Sequence, residues 1–249
     1  AGYDVICYAG AKDTTCWMIP ETIIATEVIE AEGEGFYETN LRQGTLDLSK
    51  YPAIATKMAQ IAPFIAPGAS TSTEDDVTAT MTDGNCAIAI AGNWTSNNIT
   101  AGIAEATGNA EDAVMVPPPF ANAGGKTYIA ASPESAFGMS VVSDPALEEA
   151  RDLFFEWIFK PENFRFIQNA RGTLPVLDNM DSSLVVLAPA VLAFSTATQS
   201  CVPFSMSFNN VNNTVNDDTK AVINELFIGA KDAATAVAEI NAIWATNTK

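Results

Sequence analysis

Three groups of side chains in this sequence have the types and spacing needed to hold a small polar ligand. Lys12, Asp13 and Trp17 follow a short apolar run, Tyr3 to Tyr8. Asn93 and Trp94 follow a second run, Cys86 to Ala91. The third group is the Asn-rich stretch Phe208-Asn209-Asn210-Val211-Asn212-Asn213. In each, an aromatic ring stands near a carboxylate, an ammonium or an amide. Such a ring packs on the C–H face of a pyranose, while acids and amides take its hydroxyls. A few polar groups orienting a ligand in an apolar cleft is the general pattern of small-molecule sites. Each group also has a plainer reading. Trp17 and Trp94 can be core tryptophans, and the Asn run can be a helix cap and turn cluster.

Covalent chemistry finds less support. Histidine is absent, which removes His-based acid–base catalysis, His-activated nucleophiles and His-containing metal sites. Glycoside hydrolysis needs two opposed carboxyl groups. The acidic runs Glu148-Glu149 and Glu74-Asp75-Asp76 instead have the spacing of solvated helix faces. Gly124-Gly125-Lys126 lacks the spacing of a phosphate-binding loop. No cofactor and no metal site is expected. Asn93, Asn98 and Asn212 begin Asn-x-Thr triplets, which match the glycosylation acceptor pattern but arise easily in an Asn- and Thr-rich chain.

The charge balance excludes other partners. Twelve Lys and Arg face 30 Asp and Glu, a formal net charge of -18. Such a surface repels phosphate backbones and anionic lipid heads, so nucleic acid is not expected. No apolar run reaches the roughly 18 residues of a membrane span. The chain starts at Ala1 without Met or a basic-then-apolar leader, so the expectation is a removed signal or a piece of something longer. Cys7, Cys16, Cys86 and Cys201 form no CxxC pair and no zinc spacing. They are either small buried residues or one or two disulfides of an exported protein; Cys7 and Cys16 are near enough to close a short loop, and the pairing stays open.

The elements that must position these groups alternate between strand and helix. Strands are expected at Tyr3 to Tyr8, Cys86 to Ala91 (buried on both faces), Ala113 to Val116 and Phe137 to Val142. Helices are expected at Trp17 to Ala31 with Pro20 in the first turn, Phe36 to Leu41, and Tyr51 to Ile65 with Ser49 as a cap. Further helices are expected at 72–81, Asn97 to Ala106, Ala146 to Phe159 after Asp144-Pro145, and 161–170. Ala188 to Thr198, Asn210 to Ile228 and Ala233 to Ala245 complete a helical final third. The alternation defines an α/β chain, in which ligands sit beyond the carboxyl ends of strands.

The order of segments resembles the extracellular solute-binding proteins of the maltose-binding, family 1 type. The stretch from Met81 to Trp94 is similar to that family's turn–Gly–strand–Gly-x-Trp segment. Val114-Met115-Val116-Pro117-Pro118-Pro119 resembles its x-x-P-x-P strand, and Phe137 to Ser143 its G-x-x-I-S strand. Ala146 to Phe159 with Lys160-Pro161-Glu162 resembles its helix pair, Arg171 to Val176 its x-G-x-L-P-V turn, and Ala233 to Trp244 its C-terminal helix. Together these cover almost the whole chain.

The resemblance implies a periplasmic-binding-protein-like type II fold: two α/β lobes on a hinge, with a sugar or short oligosaccharide captured between them and passed to ABC importer membrane subunits without chemistry. Family members are much longer, so it implies a complete second lobe (1–130 and 178–249) and a partial first lobe (131–177). It also implies a monomer outside the cytoplasmic membrane, tethered there in the full-length protein. Carried over residue by residue, Trp94 matches the aromatic platform, and Asp13 and Lys12 the loop with a hydroxyl-binding acid. Trp17 matches an aromatic near that loop. Asn209 and Asn210 fall where some members carry a stacking tryptophan, with Phe208 as the substitute ring. Ser132, Glu134 and Ser135 lie on the crossing between lobes. Two readings compete: a glycan-processing enzyme on an α/β scaffold, and a scaffold or adhesin lobe without a small ligand.

Overall fold

The computed structural model describes residues 4–11, 13–131, 137–174 and 180–247. Its organising pair is β1 (Asp4–Tyr8) and β2 (Cys86–Ile90), parallel, with Asp4 opposite Cys86 and Tyr8 opposite Ile90. Parallel strands need a crossover. Here it is α1 (Asp13–Glu32), α2 (Phe36–Arg42), α3 (Ala53–Ile61) and α4 (Glu74–Thr82). On its other edge β1 meets Ile65 in a single parallel bridge, and Ala66 N–H donates to the Ile6 carbonyl at 2.8 Å. A Cys7–Cys86 disulfide spans β1 and β2 across a sequence separation of 79 residues, while Cys16 is buried and Cys201 half-buried. The bridge is therefore between distant cysteines and not between neighbours in sequence.

After β2 come α5 (Ser96–Thr107) and β3 (Tyr128–Ala130), which pairs in parallel with β4 (Val202–Phe204). Between these two strands lie α6 (Pro145–Ile158), α7 (Pro161–Arg171) and α8 (Pro189–Ala197); α9 (Asn213–Phe227) and α10 (Ala233–Trp244) close the described chain. Local chemistry sets many of the boundaries. Thr73 and Asp76 form a reciprocal capping box on α4, and Asp144, Asn212 and Asp232 accept backbone N–H groups at the starts of α6, α9 and α10.

The core is built on α1. Trp17, Ile23, Ile24 and Val28 are buried on its several faces by α2, α3, α9 and α10, as expected for a helix apolar all round. Trp17 stacks on Trp244 at 5.7 Å with planes 6° apart, and Tyr37 meets both Trp244 and Phe204 edge-on. The helix begins at Asp13, so Pro20 stands inside it and not in its first turn. One carboxylate enters this core. Glu21 accepts from Tyr37 Oη at 3.1 Å and from Ser207 N–H, while its second oxygen is buried without a partner.

Several sequence expectations need correction. β2 is not buried on both faces: Ala87 and Ile88 point to opposite sides, Ala87 is exposed and Ile88 is 49% exposed, and among the described residues β1 is the strand that pairs with it. Val114 to Val116 and Phe137 to Val142 form no strands, having no paired neighbour among the described residues. Ser49 caps no helix; it lies in a 3-10 turn, Leu48–Lys50, whose cap is Asp47. Tyr51 to Ile65 is α3 followed by a 3-10 turn, Ala62–Phe64, broken before Pro63. The remaining helices lie within a few residues of their expected positions.

Two stability predictions follow from these contacts. Burial raises the Glu21 carboxyl to about 7, so the folded state holds a proton that the unfolded chain releases near pH 4. Stability is then full below about pH 4 and falls as pH rises to about 7, by about 3 kcal/mol for this group. Glu21→Gln should flatten that slope in urea titrations at pH 5 and 8; an unchanged slope would remove Glu21 as its source. Replacing Cys7 and Cys86 together by Ser should lower the unfolding free energy by about 2–4 kcal/mol, the usual cost of opening a long loop.

Candidate functional site

The carboxyl ends of β1 and β2 emerge side by side, and the helices that follow begin there. After Tyr8 the chain turns through Ala9 and Gly10 into α1. Gly10 N–H donates to the Ala69 carbonyl at 2.9 Å, and a Cβ on Gly10 would lie 2.6 Å from that oxygen, so only glycine permits this approach. Ala11 N–H donates to the Ser72 carbonyl at 3.1 Å. The loop after β1 is thus laced to the segment that starts α4. From behind, Lys220 of α9 donates to the Ala11 carbonyl at 2.9 Å, and Asn224 accepts from Tyr8 Oη at 3.1 Å. Burial pushes the Tyr8 hydroxyl pKa up, keeping it a donor.

After β2, Gly92 leads into a 3-10 turn, Asn93–Thr95, and then α5. Thr95 Oγ1 donates to the Gly92 carbonyl at 3.0 Å, and the Ser96 hydroxyl donates to the Asn93 carbonyl. The half-buried Trp94 ring folds back over Gly92. A Cβ there would meet three ring carbons at 2.1 to 2.3 Å. Trp94 Nε1 donates to Glu74 Oε1 at 2.8 Å. Glu74 is the first residue of α4, so the crossover loop and the strand-end loop are joined through an indole and a carboxylate. Beside them is a shallow dip bordered by Ala9, Thr15, Glu74, Ile90 and Thr95, without room for a water molecule. Thr15 Oγ1 donates to the Ala9 carbonyl at 2.5 Å.

A small-molecule site encloses on the order of several hundred Å³, and this dip encloses none. The strand ends instead bring an aromatic ring, a carboxylate and helix starts to one edge. A larger open concavity lies at the start of α9, against Asn212, Asn213 and Thr246. It carries no aromatic ring, and Asn212 is committed to capping α9, so the strand ends remain the better candidate. Among the described residues no group of three His, Cys, Asp or Glu could hold a metal ion.

Of the expected site residues, the structure brings Asn93 and Trp94 to this edge, with Asp13 beginning the adjoining α1. Lys12, Ser132, Glu134 and Ser135 lie outside the described residues, as do the side chains of Asp13 and Phe208. Trp17 needs correction: it is 1% exposed and stacked on Trp244, so its ring faces the core. Asn210 needs the same correction. It is fully buried, accepting from Arg42 Nε at 2.7 Å and donating to the Met206 carbonyl at 3.1 Å, while its own carbonyl accepts from Asn247. It ties α2 to the end of α10 and touches no strand-end loop. Asn209 is exposed beside it. Glu74 is the residue sequence reasoning missed. Its acidic run looks like any solvated first turn, and its partner is 20 residues away.

Solved structures share this α/β fold. The chain matches a chitin oligosaccharide binding protein with a TM-score of 0.79 and 16% identity, over 99% of this chain and 60% of that one. It matches the binding protein MsmE of Bacillus subtilis with a TM-score of 0.66 and 15% identity, over 98% and 59%. A sugar transporter of Bacillus licheniformis in complex with stachyose gives 0.63 and 13%, over 98% and 61%. The chain therefore has the periplasmic-binding-protein-like fold of these binding-protein structures and spans about three fifths of their length. No protein-family model and no curated sequence matches it.

The Trp94 geometry is directly testable. Gly92→Ala and Glu74→Ala should each shift the Trp94 indole N–H resonance and speed its hydrogen exchange, because one evicts the ring and the other removes its acceptor. Glu74→Gln retains an acceptor and should shift it less. An indole resonance indifferent to all three substitutions would show that the ring does not lie over Gly92.

Proposed function

We propose that this chain is part of the sugar-binding component of an ABC importer, and that it contributes one wall of a cleft closing around a sugar or short oligosaccharide. The observation that carries the reading is the whole-chain likeness to sugar-binding structures, one of them solved with stachyose. The wall at the strand ends supports it. Trp94 offers a ring face for the C–H face of a pyranose, and Glu74, Asn93, Asp13 and Lys12 supply groups for hydroxyls. Residues 1–130 and 178–249 form the second lobe, and 131–177 a part of the first, with Glu134 on the crossing. Asn209 and Phe208 are secondary contacts. The ligand is held by stacking and hydrogen bonds and released unchanged to the membrane subunits; no step breaks a covalent bond.

The proposal places the protein outside the cytoplasmic membrane. Among the described residues no helix is long and apolar enough to cross a membrane. The net charge of -18 favours a neutral ligand over an anionic one.

Calorimetric titration with stachyose and with a chitin oligosaccharide tests this, on the longest form its source cells make. Binding of one of them is expected, with no change in reducing ends. Trp94→Ala should weaken it by roughly 1–3 kcal/mol, about 5- to 160-fold. An equal dissociation constant in Trp94→Ala would remove the ring from the site. Release of reducing ends would replace binding by catalysis.

A further inference from the structure

One carboxyl group lies in the core with half of its bonding capacity unused. Glu21, on α1, is 1% exposed. Its Oε1 accepts twice, from Tyr37 Oη at 3.1 Å and from Ser207 N–H. Its Oε2 is buried without a partner, and so is the hydroxyl oxygen of Ser207, a residue that is 0% exposed. Ser207 thus grips one carboxyl oxygen with its N–H and keeps an idle hydroxyl near the same group. Trp17 Nε1, one turn back on α1, is also buried without a partner, so it does not serve Oε2.

A carboxylate in this place is poorly served. Both donors on Oε1 are neutral, and nothing replaces the water lost from Oε2. The titratable groups facing it come from α2: Tyr37, then Glu38 and Arg42 further along. Glu38 Oε1 accepts from Ser205 N–H at 2.7 Å, and Arg42 Nε donates to Asn210 Oδ1 at 2.7 Å. β4 and residues 205–210 hold no titratable side chain, and α10 meets Tyr37 with Trp244. Burial pushes the Tyr37 hydroxyl well above its ordinary value, so it stays a donor. A neutral carboxylic acid answers this geometry. Its proton on Oε2 is a donor, and Ser207 Oγ is an acceptor without one. A single proton completes both atoms.

We propose that the proton on Glu21 is a latch: Oε2–H donates to Ser207 Oγ while Oε1 accepts from Ser207 N–H, and loss of the proton to water frees residues 205–211 from α1. This turn is the piece that can move. Ser207–Asn209 is a single 3-10 turn, and Asn210 and Val211 N–H both bond back to the Ser207 carbonyl, at 2.6 and 2.9 Å. The turn therefore hangs on Ser207, and Ser207 is fixed to the core by Glu21. Helix α1 is enclosed by α2, α3, α9 and α10, so water reaches Oε2 when the turn lifts. The closed turn binds the proton more tightly than the open one. The latch is full below about pH 4 and is lost as pH rises to about 7. Asn209 is exposed on this turn, yet the latch goes beyond the sugar reading and stands on the turn's own contacts.

Amide hydrogen exchange at pH 5 and pH 8, without ligand and corrected for intrinsic rates, tests the latch. Protection of Ser207, Asn210 and Val211 should fall about tenfold or more between the two. At pH 8 their exchange should not respond to low urea, as for a local opening, while that of Ile24 and Val28 in α1 accelerates. Glu21→Gln carries a fixed N–H donor in place of the acid proton and should keep the turn protected at both pH values. Ser207→Ala keeps the backbone N–H and removes the hydroxyl. It should lower protection at pH 5 about fivefold and leave pH 8 unchanged. Turn amides that stay protected at pH 8 overturn the proposal, since the hydroxyl has then turned to donate to the carboxylate. So do turn amides that follow urea in step with Ile24 and Val28, because the proton then serves only the whole fold. Ser207→Ala indifferent at pH 5 overturns it as well, and that reading stands even where Glu21→Gln fails to fold.

Discussion

The parallel pairing of β1 with β2 is the constraint on which the rest of the molecule depends. Once Asp4 stands opposite Cys86 and Tyr8 opposite Ile90, both strands end at the same edge. The loops that leave them, Ala9 to Ala11 and Ala91 to Thr95, must then be neighbours. A parallel pair cannot be closed by a short turn, so the intervening chain becomes a helical crossover. The crossover returns at Glu74, beside the same edge. The meeting of Trp94 with Glu74 across 20 residues is thus a consequence of strand direction. The Cys7–Cys86 bridge fastens this register covalently.

The second constraint is the burial of α1. A helix enclosed on nearly all sides needs apolar residues all round, and its Trp17 is used for packing on Trp244. That demand competes with function for the same residue type. Trp17 and Trp94 both follow strands, Trp17 nine residues after β1 and Trp94 four after β2, yet Trp17 is fully buried and Trp94 half-buried. Their fates differ because α10 lies over one and the strand-end edge lies open at the other. Glu21 shows the cost of the same enclosure. Its buried carboxyl is pushed up to about 7, and it is tolerated because Tyr37 and Ser207 both donate to it.

Much of the architecture was legible in the sequence. β1, β2 and most helices are announced by apolar runs bounded by Thr73, Asp144, Asn212 and Asp232, whose side chains cap backbone that would otherwise go unpaired. The strands that failed, Val114 to Val116 and Phe137 to Val142, failed for a nonlocal reason. Strand propensity describes a residue that fits a pleated surface, and a partner must exist to make the surface. The strand-end edge was half legible. Asn93 and Trp94 stand directly after a readable strand, so local order places them at its carboxyl end. Glu74 could not be found this way, because its role is set by a contact between two loops. Asn210 was misread because an Asn-rich run signals backbone capping and ligand hydrogen bonding with the same side chain. Only its burial among Arg42, Met206 and Asn247 separates the two.

The contact between Trp94 and Glu74 also has a physical logic. A ring and an acid that a ligand must first order cost entropy when it binds. Here the indole N–H already donates to Glu74 Oε1 at 2.8 Å, and the ring lies over Gly92. The ring is therefore held before anything meets it, and the loop after β2 and the start of α4 are held with it.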